Sequence, residues 1–175
     1  MQEIMKDVLG SNGPNKEYAS KLMLYGQFVG SWEGHVIVHR SDGTKREESC
    51  EVLFGWVLDG KAIQDVWIAP ARKDRIQEGR STEKDIFGTT LRIFNPKTDQ
   101  WEIHWIEPNT QSYEYLTGKQ VGDDIVNEYK SEEGQINQWM FTEITKDTFH
   151  WIGRESNDNK KTWKIRNEFF LKRIN

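Results

Sequence analysis

From Trp32 to the C-terminus the chain keeps one habit: apolar residues recur at every second position, and short polar turns interrupt them. Successive side chains of an extended strand point to opposite faces, so such runs build a sheet with one dry face and one wet face. Trp32, Val36 and Val38 alternate with Glu33, His35 and His39, and Ser41-Asp42-Gly43-Thr44 then reads as a hairpin turn. Cys50, Val52, Phe54 and Trp56 resume the alternation, and Asp59-Gly60 reverses the chain again. Ile63, Asp65 and Trp67 share one face of the next strand, while Gln64, Val66 and Ile68 share the other. Pro70 closes that strand. The charged stretch 71–85 has no strand pattern and is expected to be a long loop.

Further strands are predicted over 88–94, 100–107, 111–118, 125–130, 136–144, 148–155 and 161–172, with Trp101, Ile103 and Trp105 on one face. Turn residues such as Asn95-Pro96, Pro108-Asn109, Gly122-Asp123 and Asn157-Asp158-Asn159 separate them. No helix-period segment lies between any two of these strands. Parallel pairing needs long crossovers, so neighbours must pair antiparallel. A sheet of about ten strands curls, and closing it removes the exposed edges. The fold class is therefore all-β: a closed antiparallel up-and-down barrel of about ten strands, with a two-sheet sandwich as the structural alternative.

Before the first strand, Asn15 is placed to cap a short helix over about 16–27. Tyr18, Leu22, Tyr25 and Val29 make its apolar stripe, which needs a barrel end to pack against. Residues 1–15 read as an N-terminal extension, and 16–175 as one barrel domain.

Composition narrows the function classes. Charged residues make up 30% of the chain, yet it carries eight Trp, eight Phe and five Tyr. Aromatic content of that kind belongs to a packed fold and not to a disordered chain. Net charge is −4, and the basic stretches Arg72–Arg75 and Lys160–Lys164 are short and interrupted, which argues against nucleic acid. No apolar run approaches a membrane span, and Met1–Leu9 lacks the apolar core of a signal peptide. Cys50 is the one cysteine, expected as a small buried hydrophobe; it allows no internal disulfide and no thiolate metal cluster. A reduced, cytoplasmic setting is the expectation, as monomer or homodimer.

Gly30-Ser31-Trp32 follows the short helix and opens the first strand. This resembles the Gly-x-Trp opening of lipocalins and, more widely, of the calycin superfamily. The resemblance implies that Trp32 plugs one barrel end under a basic residue of the last strand: Arg166, Lys172 or Arg173. The segments from Gly55 to Trp67, Gly88 to Arg92, Trp101 to Trp105 and Val121 to Val126, with the tail from Trp139 to Arg173, are similar to a family of uncharacterised bacterial proteins that is lipocalin-like by fold. That resemblance, from about residue 26 to the end, implies a fold and no agreed activity. Gly30-Ser31-Trp32-Glu33-Gly34 also looks like the start of the nitrobindins, barrels that hold haem through a single histidine. This would make His104 or His150 a haem ligand.

The residues themselves specify no cofactor, no metal and no catalytic motif. His35 and His39 lie ~13 Å apart on an extended strand, too far to share a metal, and are expected to face solvent. Glu102 and Glu114 form a carboxylate pair on neighbouring strands, of undetermined separation. The stronger clue is aromatic and charged residues on shared faces. Asp65, Trp67, Arg92, Trp101, Trp105, Glu114, Trp151 and Glu155 are the candidate ligand-binding residues, with Asp65 and Arg92 expected to pair if both point inward. The expected function is non-enzymatic binding of a small hydrophobic or aromatic molecule inside the barrel. The alternatives are a small barrel enzyme with Asp65 or Glu114 as base, a haem-binding barrel, and a scaffold without ligand.

Overall fold

The computed structural model describes residues 2–75 and 82–174. In chain order the elements are α1 (Gln2–Leu9), β1 (Gly10–Ser11), α2 (Ala19–Gly26), β2 (Gly30–His39), β3 (Lys45–Val57), β4 (Ala62–Ala69), β5 (Ile86–Asn95), β6 (Gln100–Glu107), β7 (Ser112–Val121), β8 (Asp124–Lys130), β9 (Ile136–Thr142), β10 (Thr148–Ser156) and β11 (Lys164–Arg173). The strands β2 to β11 pair antiparallel, each with the next. β11 then pairs with β2 from Arg173↔Trp32 to Asn167↔Val38 and closes the barrel. The sandwich alternative is thereby excluded. The expected strand boundaries hold within a few residues. Of the expected loop 71–85, residues 76–81 lie outside the described residues; the segment before them makes a 3₁₀ turn at Arg72–Asp74, and β5 starts two residues earlier than expected, at Ile86.

The expected helix over 16–27 is a 3₁₀ turn, Lys16–Tyr18, running into α2. Asn15 caps it, its Oδ1 accepting from Glu17 N at 3.1 Å. The N-terminal extension is itself structured: α1 leads into β1, which pairs with Trp56 and Val57 of β3. Gly60, in the turn after β3, has φ of +70°, and a Cβ there would meet Gly13 O at 2.1 Å. The extension thus crosses the turn in direct backbone contact, with Asn15 N donating to Gly60 O at 2.9 Å.

Inward side chains fill one end of the barrel completely. Leu22 and Tyr25 of α2, with Phe28 behind them, enter that end and are buried. Phe28 lies 4.8 Å from Phe141 and 4.9 Å from Phe149, ring centre to ring centre, and Trp32 lies 4.7 Å from Phe149. Trp32 Nε1 donates to Phe28 O at 2.7 Å, so the indole is both packed and satisfied. Of the three basic residues named for this role, Arg173 covers it: the guanidinium carbon is 4.1 Å from the Trp32 ring centre. The same guanidinium donates to the carbonyls of Val29, Gln27 and Lys146, which ties the end of β11 to the chain before β2 and to the β9–β10 turn. Cys50 faces this core, where burial pushes its thiol up to about 12.

Candidate functional site

The opposite end of the barrel is hollow. A cavity of about 240 Å³ opens between the strand ends that carry the β4–β5, β6–β7, β8–β9 and β10–β11 connections. Its wall is aromatic. Trp105 of β6 meets Trp139 of β9 at 5.9 Å, Trp139 meets Trp151 of β10 at 5.9 Å, and Trp151 meets Trp67 of β4 at 5.4 Å. Phe169 of β11 closes the series, 4.9 Å from Trp67 and 5.4 Å from Trp151. Two glycines make room for the indoles: a Cβ on Gly88 would meet the Trp105 ring at 2.4 Å, and one on Gly153 the Trp151 ring at 2.9 Å. Large rings can therefore lie flat against the strands and leave the centre open.

Arg92 forms the floor, and an ion pair holds it from behind. Asp65 and Arg92 are both fully buried, and Arg92 Nε donates to Asp65 Oδ2 at 2.7 Å. Asp65 Oδ1 accepts from Trp67 Nε1 at 2.7 Å and from Thr90 N at 3.2 Å. One carboxylate thus fixes both the guanidinium and one indole of the wall. Below it the Arg92 guanidinium lies 4.7 Å from the Tyr25 ring centre and 5.3 Å from that of Phe141. The Tyr25 hydroxyl donates to Asn127 Oδ1. Burial raises the Tyr25 phenol well above its ordinary value, partly opposed by the Arg92 charge.

Polar groups from six strands stand around the mouth, Asn137 of β9 and Arg154 of β10 among them. Glu107, Ser112, Glu114 and Tyr129 come from β6, β7 and β8; Arg166 and Asn167 come from β11. Burial, and then the hydrogen bond it donates to Glu114, raise the Tyr129 phenol, so it stays a donor. Glu107 accepts from Thr110 Oγ1 at 2.8 Å and holds the β6–β7 turn.

Five of the eight residues singled out from the sequence border this cavity: Trp67, Arg92, Trp105, Glu114 and Trp151. Three do not. Asp65 sits behind the floor, bonded to Arg92 and Trp67. Glu155 stands at the rim, 3.3 Å from Arg166. Trp101 lies at the filled end, 4.7 Å from Tyr25, beside a broad outer groove of about 1060 Å³ that Lys21, Gln27, Asp99 and Lys119 also line. Trp139, Tyr129, Phe169 and Arg166 also border the cavity, and the sequence pattern marks none of them as a pocket residue. Trp139-Met140-Phe141 and Phe169-Phe170-Leu171 are unbroken apolar runs, so alternation does not say which member points inward. Register does: Trp139 pairs with Gly153 and Phe169 with Trp151.

The other candidates are redistributed. Glu102 and Glu114 are no pair: Glu114 pairs with Trp105, three positions along from Glu102, so the two lie on opposite faces, and Glu102 accepts from Asn95 Nδ2 outside the barrel at 2.6 Å. His35 and His39 do face outward, but they are not simply solvated. His39 bonds Glu168 at 2.7 Å and is half-buried. His35 and His150 stack on the two sides of Phe170, 4.9 and 4.1 Å away, with 16° between ring planes in each case. His104 is exposed on the outer face, 5.0 Å from Tyr115. Neither His104 nor His150 borders the cavity.

No family model matches the chain, and no curated protein does. Solved structures do match. An S-type phycobiliprotein lyase, CPES, from Guillardia theta aligns with a TM-score of 0.56 and 12% identity, over 93% of this chain and 99% of that one. Rv2717c from M. tuberculosis aligns with a TM-score of 0.56 and 16% identity, over 90% and 99%. With the closed ten-strand meander and the helix at one end, these matches define the fold: a lipocalin-like closed β-barrel. At such identities the likeness carries the fold alone.

Proposed function

We propose that the protein binds a small apolar or aromatic molecule in the open end of its barrel. The observation that carries this reading is the cavity wall: four indoles and a phenyl ring surround a space that no side chain of the described residues fills, above a buried ion pair. The two barrels it resembles, one a phycobiliprotein lyase by its description, are compatible with a ligand-holding interior and say nothing of its occupant here. A volume of about 240 Å³ lies just under the ~300–1,000 Å³ of usual ligand sites, which suits a molecule of one or two fused rings.

Such a ligand buries roughly 200 Å² of apolar surface. At about 25 cal/mol per Å² the gross gain is ~5 kcal/mol, a Kd on the order of 100 µM before polar contacts are added. Aromatic pairing with the indoles adds roughly 0.5–1.5 kcal/mol. An enzyme built on Asp65 is disfavoured by geometry, since that carboxylate is already held by three donors behind the floor.

Titration of tryptophan emission with small aromatic hydrocarbons tests the reading. A saturable change is expected, weakened about tenfold or more in Trp139→Ala, which removes the indole between Trp105 and Trp151. No saturable response to any member of the series would refute it.

A further inference from the structure

The outer face of β5, β6 and β7 is bare of charge over much of its area. Elsewhere on the outside of the barrel Glu51 pairs with Arg72, Glu33 with Lys73 and Glu128 with Lys160. On these three strands the outward positions within 87–93, 104–106 and 113–117 hold no Asp, Glu, Lys or Arg. Large apolar side chains stand there in solvent: Tyr113 is 69% exposed, Tyr115 52%, Phe87 46% and Ile106 43%. The register gathers them, since Ile106 pairs with Tyr113 and His104 with Tyr115. Two of the rings are held in place. The Arg75 guanidinium, bonded to Asp85 at 2.8 Å, lies 4.9 Å from the Phe87 ring centre, and the His104 ring lies 5.0 Å from that of Tyr115. Rings already fixed lose less freedom when a partner covers them.

The exposed parts of these four side chains come to roughly 400–500 Å², at about 200–250 Å² for a whole side chain. A contiguous patch of that size on one chain marks a binding face. The partly exposed Thr89, Leu91 and Ile93, with His104, extend it towards the ~800 Å² per partner of a stable interface. A strand edge adjoins the patch. β7 pairs with β8 only over Thr117–Val121, so the segment from Ser112 to Tyr115 runs beyond the end of that pairing. An edge that carries exposed aromatic side chains is a template for another strand.

Charge selects the partner. A nucleic acid finds no Lys or Arg among these outward positions, and a charged peptide finds no opposite charge. A second copy brings the same uncharged surface, so two chains of net charge −4 meet where like charges do not oppose each other. The same face and the same edge on both partners satisfy a two-fold axis. We propose that the outer face of β5–β7, with the adjoining edge of β7, is where a second copy of this chain docks to form a symmetric dimer. The face lies outside the barrel wall, so the proposal does not depend on what the cavity holds.

Sedimentation equilibrium from about 1 µM to about 300 µM, a range that spans the Kd of a modest interface, tests it. The mass of the wild-type protein is expected to rise from the 20.6 kDa of one chain to twice that value. Tyr113→Glu with Tyr115→Glu puts four carboxylates into the interface and is expected to weaken the dimer about a hundredfold, leaving a monomer across the range. Val8→Glu, at an exposed apolar position on α1, is expected to leave it intact. A wild-type protein that stays monomeric throughout would overturn the proposal; if it then sediments with phosphatidylcholine vesicles and the double variant does not, the face belongs to a membrane instead. A dimer that survives in the double variant, or that Val8→Glu abolishes, would also overturn it. Should the double variant not fold, the tyrosine ring protons of the wild-type protein decide on dilution. Those of Tyr113 and Tyr115 are expected to shift with concentration while those of Tyr18 stay in place, and constant Tyr113 and Tyr115 signals contradict the assignment.

Discussion

Arg92→Met is expected to lower the stability of the protein by about 3–5 kcal/mol, because it strands the Asp65 carboxylate in a dry interior. Asp65 would keep the Trp67 indole and the Thr90 amide, but a full negative charge would remain with no cation beside it. The second half of the expectation separates charge from packing. Asp65→Asn with Arg92→Met replaces the pair by groups of similar volume and no charge, and most of the loss is expected to return. Urea unfolding of wild type, single and double variants measures both steps. A double variant as unstable as Arg92→Met would mean that the shape of the arginine, and not its charge, holds the floor.

Trp32→Ala is the second large effect, expected to cost about 3–5 kcal/mol and to lower the Tm by roughly 10 °C. The indole is 1% exposed and packs against Phe28 and Phe149, so its removal leaves a cavity at the filled end. It also leaves Arg173 without the ring beneath it. Trp32→Phe keeps most of the packing but drops the hydrogen bond to Phe28 O, and is expected to lose clearly less. Ligand binding at the other end is expected to change little in either variant at temperatures where they remain folded. Thermal melts followed by circular dichroism test the ranking; equal loss in both variants would mean that the hydrogen bond outweighs the packing.

Most of the barrel is legible in the chain because period-two patterning and turn chemistry agree. Ser41-Asp42-Gly43-Thr44 turns β2 into β3 as read, with Asp42 Oδ1 accepting from Thr44 N and Oγ1. Cys50, Val52, Phe54 and Trp56 do share the inner face. Closure follows from edge physics, but its register does not: that β11 meets β2 with Arg173 opposite Trp32 depends on the coiling of the whole sheet.

The site is legible only where alternation is clean. Trp101, Ile103 and Trp105 are correctly placed on one face, yet pattern cannot tell that Trp105 lines the hollow end and Trp101 the filled end. That difference is depth along a strand, set by where α2 and Phe28 enter the barrel. Glu155 misleads for a similar reason: β10 and β11 shift register between Gly153 and Arg154, which draws Glu155 to Arg166 at the rim. A charge amid apolar neighbours is conspicuous in sequence, so Asp65 reads there as a pocket group. Its buried partners show that its part is to hold Arg92 and Trp67 in position.

The eight indole N–H groups offer the most direct test, since each tryptophan reports from a known depth. In a two-dimensional ¹H–¹⁵N spectrum titrated with a small aromatic hydrocarbon, the resonances of Trp67, Trp105, Trp139 and Trp151 are expected to move together and saturate. Those of Trp32, Trp56 and Trp101 at the filled end are expected to stay in place. Shifts centred on Trp101 and the outer groove beside α2, or no saturable shift at the four cavity tryptophans, would contradict a ligand site in the open end of the barrel.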